Sequence, residues 1–355
     1  MDKVLITGIT GHSGQYFLDE LIAAFPKGVS IRVLVRKTSD RAKLEKLIEM
    51  GRDVEIFEGN LADEKSLDAM TRGMDMVFHI AGVGSSLGIV RAALPNGVKS
   101  FVLVHTTGIY SKYKAAGEGY RRTEAEIRRL IAEENRKLAG SIDFDDIIEK
   151  RTNNNVNDNN LVTEKIDLTI LRPTMIYGSL DDENMVKFIK MTDKLRFFPM
   201  VSGGHYALQP VHQQDLGRAY LQVLNMLLNR GIDESAKAIE TNEPGTKQIP
   251  RPATPHDREY ILSGGTVIDL IDIMKLISEY LGKKTTFFSV PFGIAYVGAW
   301  GVYLVSLGKV DYREKVQRLV EPRNYPHDVA SRDFGYNPMP FNEGLRREVA
   351  LYKNR

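Results

Sequence analysis

The chain has 355 residues, 43% of them hydrophobic and 26% charged, which calls for a globular protein of one or two domains. Its net charge of +2 gives no global attraction to nucleic acid, and none is expected as a partner. The absence of cysteine excludes disulfides, thiol catalysis and thiolate metal sites. The seven histidines show no metal-ligand spacing, so no metal site is expected.

Residues 4–6, Val-Leu-Ile, predict a buried strand. No basic leader precedes it, so no signal peptide and a cytoplasmic location are expected. Gly8, Gly11 and Gly14 follow at three-residue spacing, and residues 14–25 predict a helix. A strand, a glycine turn and a helix start form a diphosphate cradle. Glycine lets the backbone approach the ligand, and the helix end offers free N–H groups and a positive dipole. Thr7, Thr10, His12 and Ser13 complete the turn and join the three glycines as candidate cofactor contacts.

Strands are then predicted at 30–35, 54–57, 76–80, 101–105 and 168–171. Helices are predicted at 41–50, 64–71, 86–93 and 121–138. Short apolar runs alternating with helical patterns indicate an α/β fold, a doubly wound parallel sheet of Rossmann type, with a smaller C-terminal substrate lobe. Residues 1–178 and 208–232 form the expected dinucleotide-binding domain, and 179–207 with 266–355 the lobe. A polar insertion at about 134–165 holds six asparagines within 153–160 and reads as a surface loop. Residues 233–258, with Pro244, Pro250, Pro252 and Pro255, read as another. Helices are predicted at 266–280 and 342–352.

Residues 285–308 contain no charge. Pro291 splits them and leaves a piece at the short limit of a membrane span. The first reading is a buried or partner-covered helix. The second is a membrane-surface contact through 287–307, with Lys309, Arg313, Lys315 and Arg318 as its basic flank. A span comes last, and a homodimer is left open.

Cofactor choice turns on the end of the second strand. Dinucleotide folds place an acid there for the ribose 2′-OH, or a cation for a 2′-phosphate. This chain has Arg36-Lys37 and no acid until Asp40, which favours NADP(H) over NAD(H). Asn60 and Leu61, after the third strand, stand where an adenine edge could be bound. Ala81 and Gly82, after the fourth, allow the cofactor close to the backbone.

These pieces together resemble the short-chain dehydrogenase/reductase superfamily in its extended or atypical branch, that of epimerase/dehydratase-like and 3β-hydroxysteroid-dehydrogenase-like proteins. The resemblance rests on Thr7-Gly8-Ile9-Thr10-Gly11-His12-Ser13-Gly14, Gly59-Asn60-Leu61-Ala62-Asp63 and His79-Ile80-Ala81-Gly82. It continues through Leu171-Arg172-Pro173-Thr174-Met175-Ile176-Tyr177-Gly178, Pro210-Val211-His212 and Asp333-Phe334-Gly335-Tyr336-Asn337-Pro338. It implies a nicotinamide cofactor, with Pro173 among its contacts. It also implies a Ser or Thr after strand five and a Tyr-x3-Lys on the next helix.

Thr107 fills the hydroxyl position and Tyr120 the tyrosine position, but Glu124 stands where the resemblance calls for lysine. A carboxylate one turn from the phenol would raise the tyrosine pKa, where an ammonium lowers it. Nucleotide-sugar members carry an arginine four residues before the histidine of the Val-His motif. Here that residue is Leu208, which tilts toward a less charged substrate. His205, Tyr206 and Gln209 are the nearest candidates for a substrate wall, and His212 reads as a packed structural histidine. The expected function is an NADP(H)-dependent oxidoreductase or epimerase/dehydratase-like enzyme. It would act by hydride transfer on a small carbonyl, hydroxyl or sugar-type substrate. The alternative is a non-catalytic NADP(H)-binding redox sensor or assembly factor.

Overall fold

A computed structural model describes residues 1–140, 165–182, 184–228 and 256–355. The polar insertion and the proline-rich loop therefore fall largely outside the described residues. The elements run β1 (Asp2–Thr7), α1 (Gly14–Ala23), β2 (Val29–Val35), α2 (Ala42–Glu49), β3 (Val54–Glu58), α3 (Glu64–Thr71), β4 (Met76–His79), α4 (Val83–Ala93), β5 (Ser100–Val104) and α5 (Lys114–Gly140). They continue with β6 (Asp167–Pro173), β7 (Ile176–Tyr177), α6 (Met185–Lys194), β8 (Phe197–Val201), β9 (Ala207–Leu208), β10 (Val211–His212) and α7 (Gln213–Leu228). The last are β11 (Asp257–Leu262), β12 (Ile268–Asp269), α8 (Leu270–Leu281), β13 (Thr286–Val290), α9 (Phe292–Val305), α10 (Arg313–Leu319), α11 (Asp328–Phe334) and α12 (Phe341–Lys353).

Seven strands form one sheet in the order β11-β6-β5-β4-β1-β2-β3, and every pairing is parallel. Strand residues alternate between two buried layers because side chains of a strand point to opposite faces. Val4 and Ile6 enter the layer under α1 and α7, and Leu5 enters the opposite one under α3, α4 and α5. Val102 and Val104 against Phe101 and Leu103 repeat the pattern on β5. A third core of Tyr177, Met185, Ile189, Leu208, Met274 and Phe341 lies on the C-terminal side. The strand order reverses between β1 and β4, and a crevice opens there at the carboxyl ends of the strands.

Three expectations change. Residues 257–258, read as loop, begin β11, the seventh strand, which pairs with β6 from Asp257↔Leu168 to Leu262↔Pro173. The helix expected from 121 begins at Lys114, so Tyr120 lies two turns in. The apolar segment is not buried within the chain. Pro291 ends β13 and starts α9, in which Ala299 is the buried residue. Among the described residues no helix is long and apolar enough to cross a membrane.

Candidate functional site

The glycine turn is a close-packed joint. Gly8 has φ +80°, and a Cβ there would lie 2.6 Å from the Ala81 nitrogen. A Cβ on Gly14 would lie 2.2 Å from the Gly8 oxygen and 2.6 Å from Ile9 Cα. The obstacles are backbone, so only glycine allows β1, the turn and the end of β4 to meet this closely. Ser13 is the N-cap residue of α1 yet makes no side-chain cap bond. Its hydroxyl accepts from Tyr220 at 3.2 Å instead, and of the first-turn N–H groups of α1 that of Gln15 donates to Gly11 O at 3.0 Å. Phe17, Phe78 and Tyr220 brace the turn from below, with ring centroids 5.3 to 5.9 Å apart. A diphosphate fits this cradle in shape and charge.

Around the cradle the expected contacts divide. Arg36 and Lys37 are exposed at the end of β2. Ser39 ties that corner to the turn, receiving bonds from the Arg36 N–H at 3.1 Å and the Thr10 hydroxyl at 3.4 Å. Gly82 opens α4 with φ +107°, and Ala81 is exposed beside it. Leu61 is half-buried, and the Asn60 side-chain oxygen accepts from the Ala62 N–H at 3.0 Å. Thr7 and Pro173 differ from expectation, because both are buried below the crevice surface. The Thr7 hydroxyl is bonded to His79 Nδ1 at 2.6 Å. Burial pushes His79 down to about 4, so it stays neutral. The Pro173 carbonyl accepts from the Thr107 hydroxyl at 3.3 Å.

Beside the crevice lies a cavity of ≈ 390 Å³ between the end of the sheet and residues 318–325. His12, Thr107, Gly108, Ser111, Thr174 and Met175 line its sheet side. Leu208, Gln209, Arg318, Glu321, Arg323 and Tyr325 line the opposite side. Of the residues expected at the substrate wall, Gln209 is there. Its amide is held by backbone, donating to Gly264 O at 2.9 Å and accepting from Tyr325 N at 3.0 Å. Tyr206 is buried in the third core with its hydroxyl on Val201 O, and the His205 side chain is 70% exposed, 3.5 Å from Asp269. Neither forms the wall. His212 is buried edge-on against Tyr177, with centroids 5.2 Å apart, as a packed histidine should be.

The catalytic set is also rearranged. Thr107 is on the cavity wall. Tyr120 is half-buried beside it, its ring close enough to Gly108 that a Cβ there would lie 3.2 Å from Cε2. Glu124 is turned into a buried ion cluster. Arg172 donates to its two oxygens at 2.6 and 2.7 Å, and Arg128 adds a third bond at 3.2 Å. His105 Nδ1 lies 2.8 Å from Glu124 Oε1, and its Nε2 lies 2.9 Å from Ser86 Oγ. An ionised carboxylate only accepts, which assigns a proton to Nδ1. Burial alone would raise the Glu124 pKa, but the bonds from Arg172 and His105 outweigh it and hold it at about 2. Arg172 is shared with Glu259 on β11, at 2.6 and 2.8 Å. The lysine position is thus a structural anchor between α5, β6 and β11.

The sequence reading missed the 318–325 segment. Arg323 sits beside Leu208 through an isolated bridge, and its N–H donates to Ala207 O at 2.8 Å. Arg323 thus stands next to position 208 on the cavity wall, and Arg318 lines the same cavity. The Nε atoms of both arginines are buried without a hydrogen-bond partner. Burial and the Arg318 charge lower the Arg323 pKa from the ordinary arginine value. Only the strand pairing reveals this juxtaposition.

Residues 1–137 match the NmrA-like family. Among curated proteins, none matches the chain in sequence. Several solved structures share the fold from end to end. The protein gox2253 is 18% identical at a TM-score of 0.65, with 100% of this chain and 98% of that one covered. A dTDP-glucose 4,6-dehydratase from Streptomyces venezuelae, solved with NAD bound, is 18% identical at 0.62, with 99% and 97% covered. The UDP-glucose 4-epimerase of Thermotoga maritima, solved with UDP-glucose, is 16% identical at 0.60, with 99% of each chain covered.

Proposed function

We propose that this chain, which has the fold of the extended short-chain dehydrogenase/reductase superfamily and an NmrA-like N-terminal part, is an NADP(H)-dependent oxidoreductase or epimerase/dehydratase-like enzyme acting on an anion-bearing hydroxyl or carbonyl substrate. The observation that carries the substrate class is the pair of buried, unpartnered Nε donors of Arg318 and Arg323 on the cavity wall. A buried N–H without a partner is costly, and a bond to a phosphate or carboxylate oxygen removes that cost. A sugar carried on a diphosphate fits this chemistry, as in the epimerase structure solved with UDP-glucose.

The cradle at Gly8–Gly14 binds the cofactor diphosphate, and Arg36 and Lys37 favour the 2′-phosphate form. The bound nicotinamide supplies the hydride chemistry. Thr107 orients the substrate oxygen from the cavity wall, and Tyr120 passes the proton. Glu124 holds α5 against β6 through Arg172, so it positions Tyr120 rather than touching substrate.

The second reading is a non-catalytic binder whose state follows NADP(H). It is favoured by the locked Glu124 in place of lysine and by a tyrosine set beside the cavity wall. The NmrA-like match fits it as well. Calorimetric titration of the NADP+-loaded protein with a nucleoside diphosphate tests the substrate class. Arg323→Met is expected to weaken binding by about 10- to 100-fold, one lost charge-assisted bond. Equal binding by wild type and variant would remove the anion site. Turnover lost in Tyr120→Phe would then separate the enzyme from the binder.

A further inference from the structure

We propose that the hairpin of α9 and α10 docks on an anionic membrane surface. α9 is apolar on all sides yet lies mostly outside the protein core. Ile294, Val297, Leu304 and Val305 are 65, 69, 64 and 87% exposed, and Trp300 and Val302 about two-fifths. At 3.6 residues per turn these side chains spread over about 200° of the helix circumference. A helix seated in a protein groove presents a narrower stripe, of about 100°. Lipid can surround the wider arc, whereas a second copy of the chain would cover one face. The helix has 14 residues, about 21 Å of length against a hydrocarbon core of about 30 Å, so it rests in the interface and does not cross.

The flanking charges select the lipid. Residues 283–318 hold six basic and two acidic residues; of the six, Lys283 pairs with Asp193 and Arg318 lines the cavity, which leaves Lys284, Lys309, Arg313 and Lys315 for the lipid. One of the two acids, Asp311, is bonded to Arg313 at 2.7 Å. Arg313 also lies 4.3 Å from the Trp300 ring centroid and 3.9 Å from that of Tyr303. Aromatic rings beside a guanidinium suit the headgroup level, apolar on one side and charged on the other. The tip residue Leu307 is 88% exposed and has φ +51°, an unfavourable conformation for a residue with a side chain. In water both its exposure and its strain go uncompensated, and insertion offsets them. α10 supplies Arg318 of the cavity wall, so a docked hairpin brings the cavity close to the lipid.

Trp300 is the only tryptophan of the chain, which makes its emission a direct reporter. The full-length protein is mixed with vesicles of phosphatidylcholine alone, or of phosphatidylcholine with phosphatidylglycerol. Trp300 emission should shift to the blue, and the protein should sediment with the anionic vesicles only, less so at high salt. The triple variant Leu304→Asp, Val305→Asp, Leu307→Asp should lose sedimentation while keeping its melting temperature and NADPH affinity. Lys309→Glu with Lys315→Glu should weaken it at least about tenfold, at roughly 1 kcal/mol per basic residue near the surface. Equal, salt-insensitive binding to neutral vesicles would overturn the anionic assignment. Failure to sediment with either vesicle would overturn the proposal. So would a wild-type dimer that the triple variant makes monomeric.

Discussion

Arg172 grips Glu124 through both of its terminal nitrogens, at 2.6 and 2.7 Å, and both side chains are 2% exposed. The pair stands where a catalytic lysine was expected, and it joins three elements of the fold. Glu124→Gln leaves Arg172 short of one buried counter-charge, and a loss of about 3–5 kcal/mol is expected. The folded pKa, about 2, lies below the ordinary 4.5. The stabilisation is therefore full above about pH 4.5 and is lost as pH falls toward 2. Urea unfolding of both proteins at several pH values should show a gap that is wide at neutral pH and closes in that window. A gap independent of pH would mean the charge is not what Glu124 contributes.

Restoring the lysine should not restore a lysine site. Glu124→Lys would place an ammonium among Arg172, Arg128 and protonated His105 Nδ1, all of which now face a carboxylate. A large drop in melting temperature is expected, with no gain of turnover. A stable, more active variant would show that position 124 faces the reacting groups after all.

The cradle makes a steric prediction with an internal control. Gly14→Ala sets a methyl 2.2 Å from the Gly8 oxygen and should abolish NADPH binding and lower stability. Gly84→Ala in α4 meets nothing within 4 Å and should be neutral or stabilising by up to about 1 kcal/mol. Thermal melts and fluorescence titration read both.

Arg36→Ala tests the choice of nucleotide. NADPH affinity should fall by about 10- to 100-fold, one charge-assisted contact, while NADH affinity stays the same. Equal losses for the two would point to a general contact instead of the 2′-phosphate.

Glu348 makes the opposite pH prediction to Glu124. It is fully buried, and burial first, then the nearby Asp182, raises it to about 8. Its folded pKa lies above the unfolded value, so its neutral form is favoured in the native state and stability is lost as pH rises from about 4.5 to about 8. Glu348→Gln mimics the neutral acid. It should raise the melting temperature by several degrees at pH above 8 and change it little near pH 5. An unchanged difference across that range would contradict the raised value.

Local chemistry made the nucleotide half legible. Strand one, the three glycines and α1 are contiguous, and short continuous apolar runs mark β4 and β5. What was hidden depends on partners distant in sequence. β11 opens with Asp257, Arg258 and Glu259, which look like loop. Asp257 is matched by Arg128, and Glu259 by Arg172, and neither pairing has a local signal. α5 starts at Lys114 although Gly117 and Gly119 argue against a helix there. Arg323 reaches the cavity only because it bridges to Leu208. In α9, apolarity alone predicted cover, and the chain folds without providing it.

Native mass spectrometry of the purified protein, alone and with NADPH or NADH, reads cofactor binding without a substrate. One dinucleotide per chain is expected, with the NADPH complex forming at lower concentration than the NADH complex. A protein that gains the mass of neither would contradict it, since the Gly8–Gly14 cradle would then be only a packed turn.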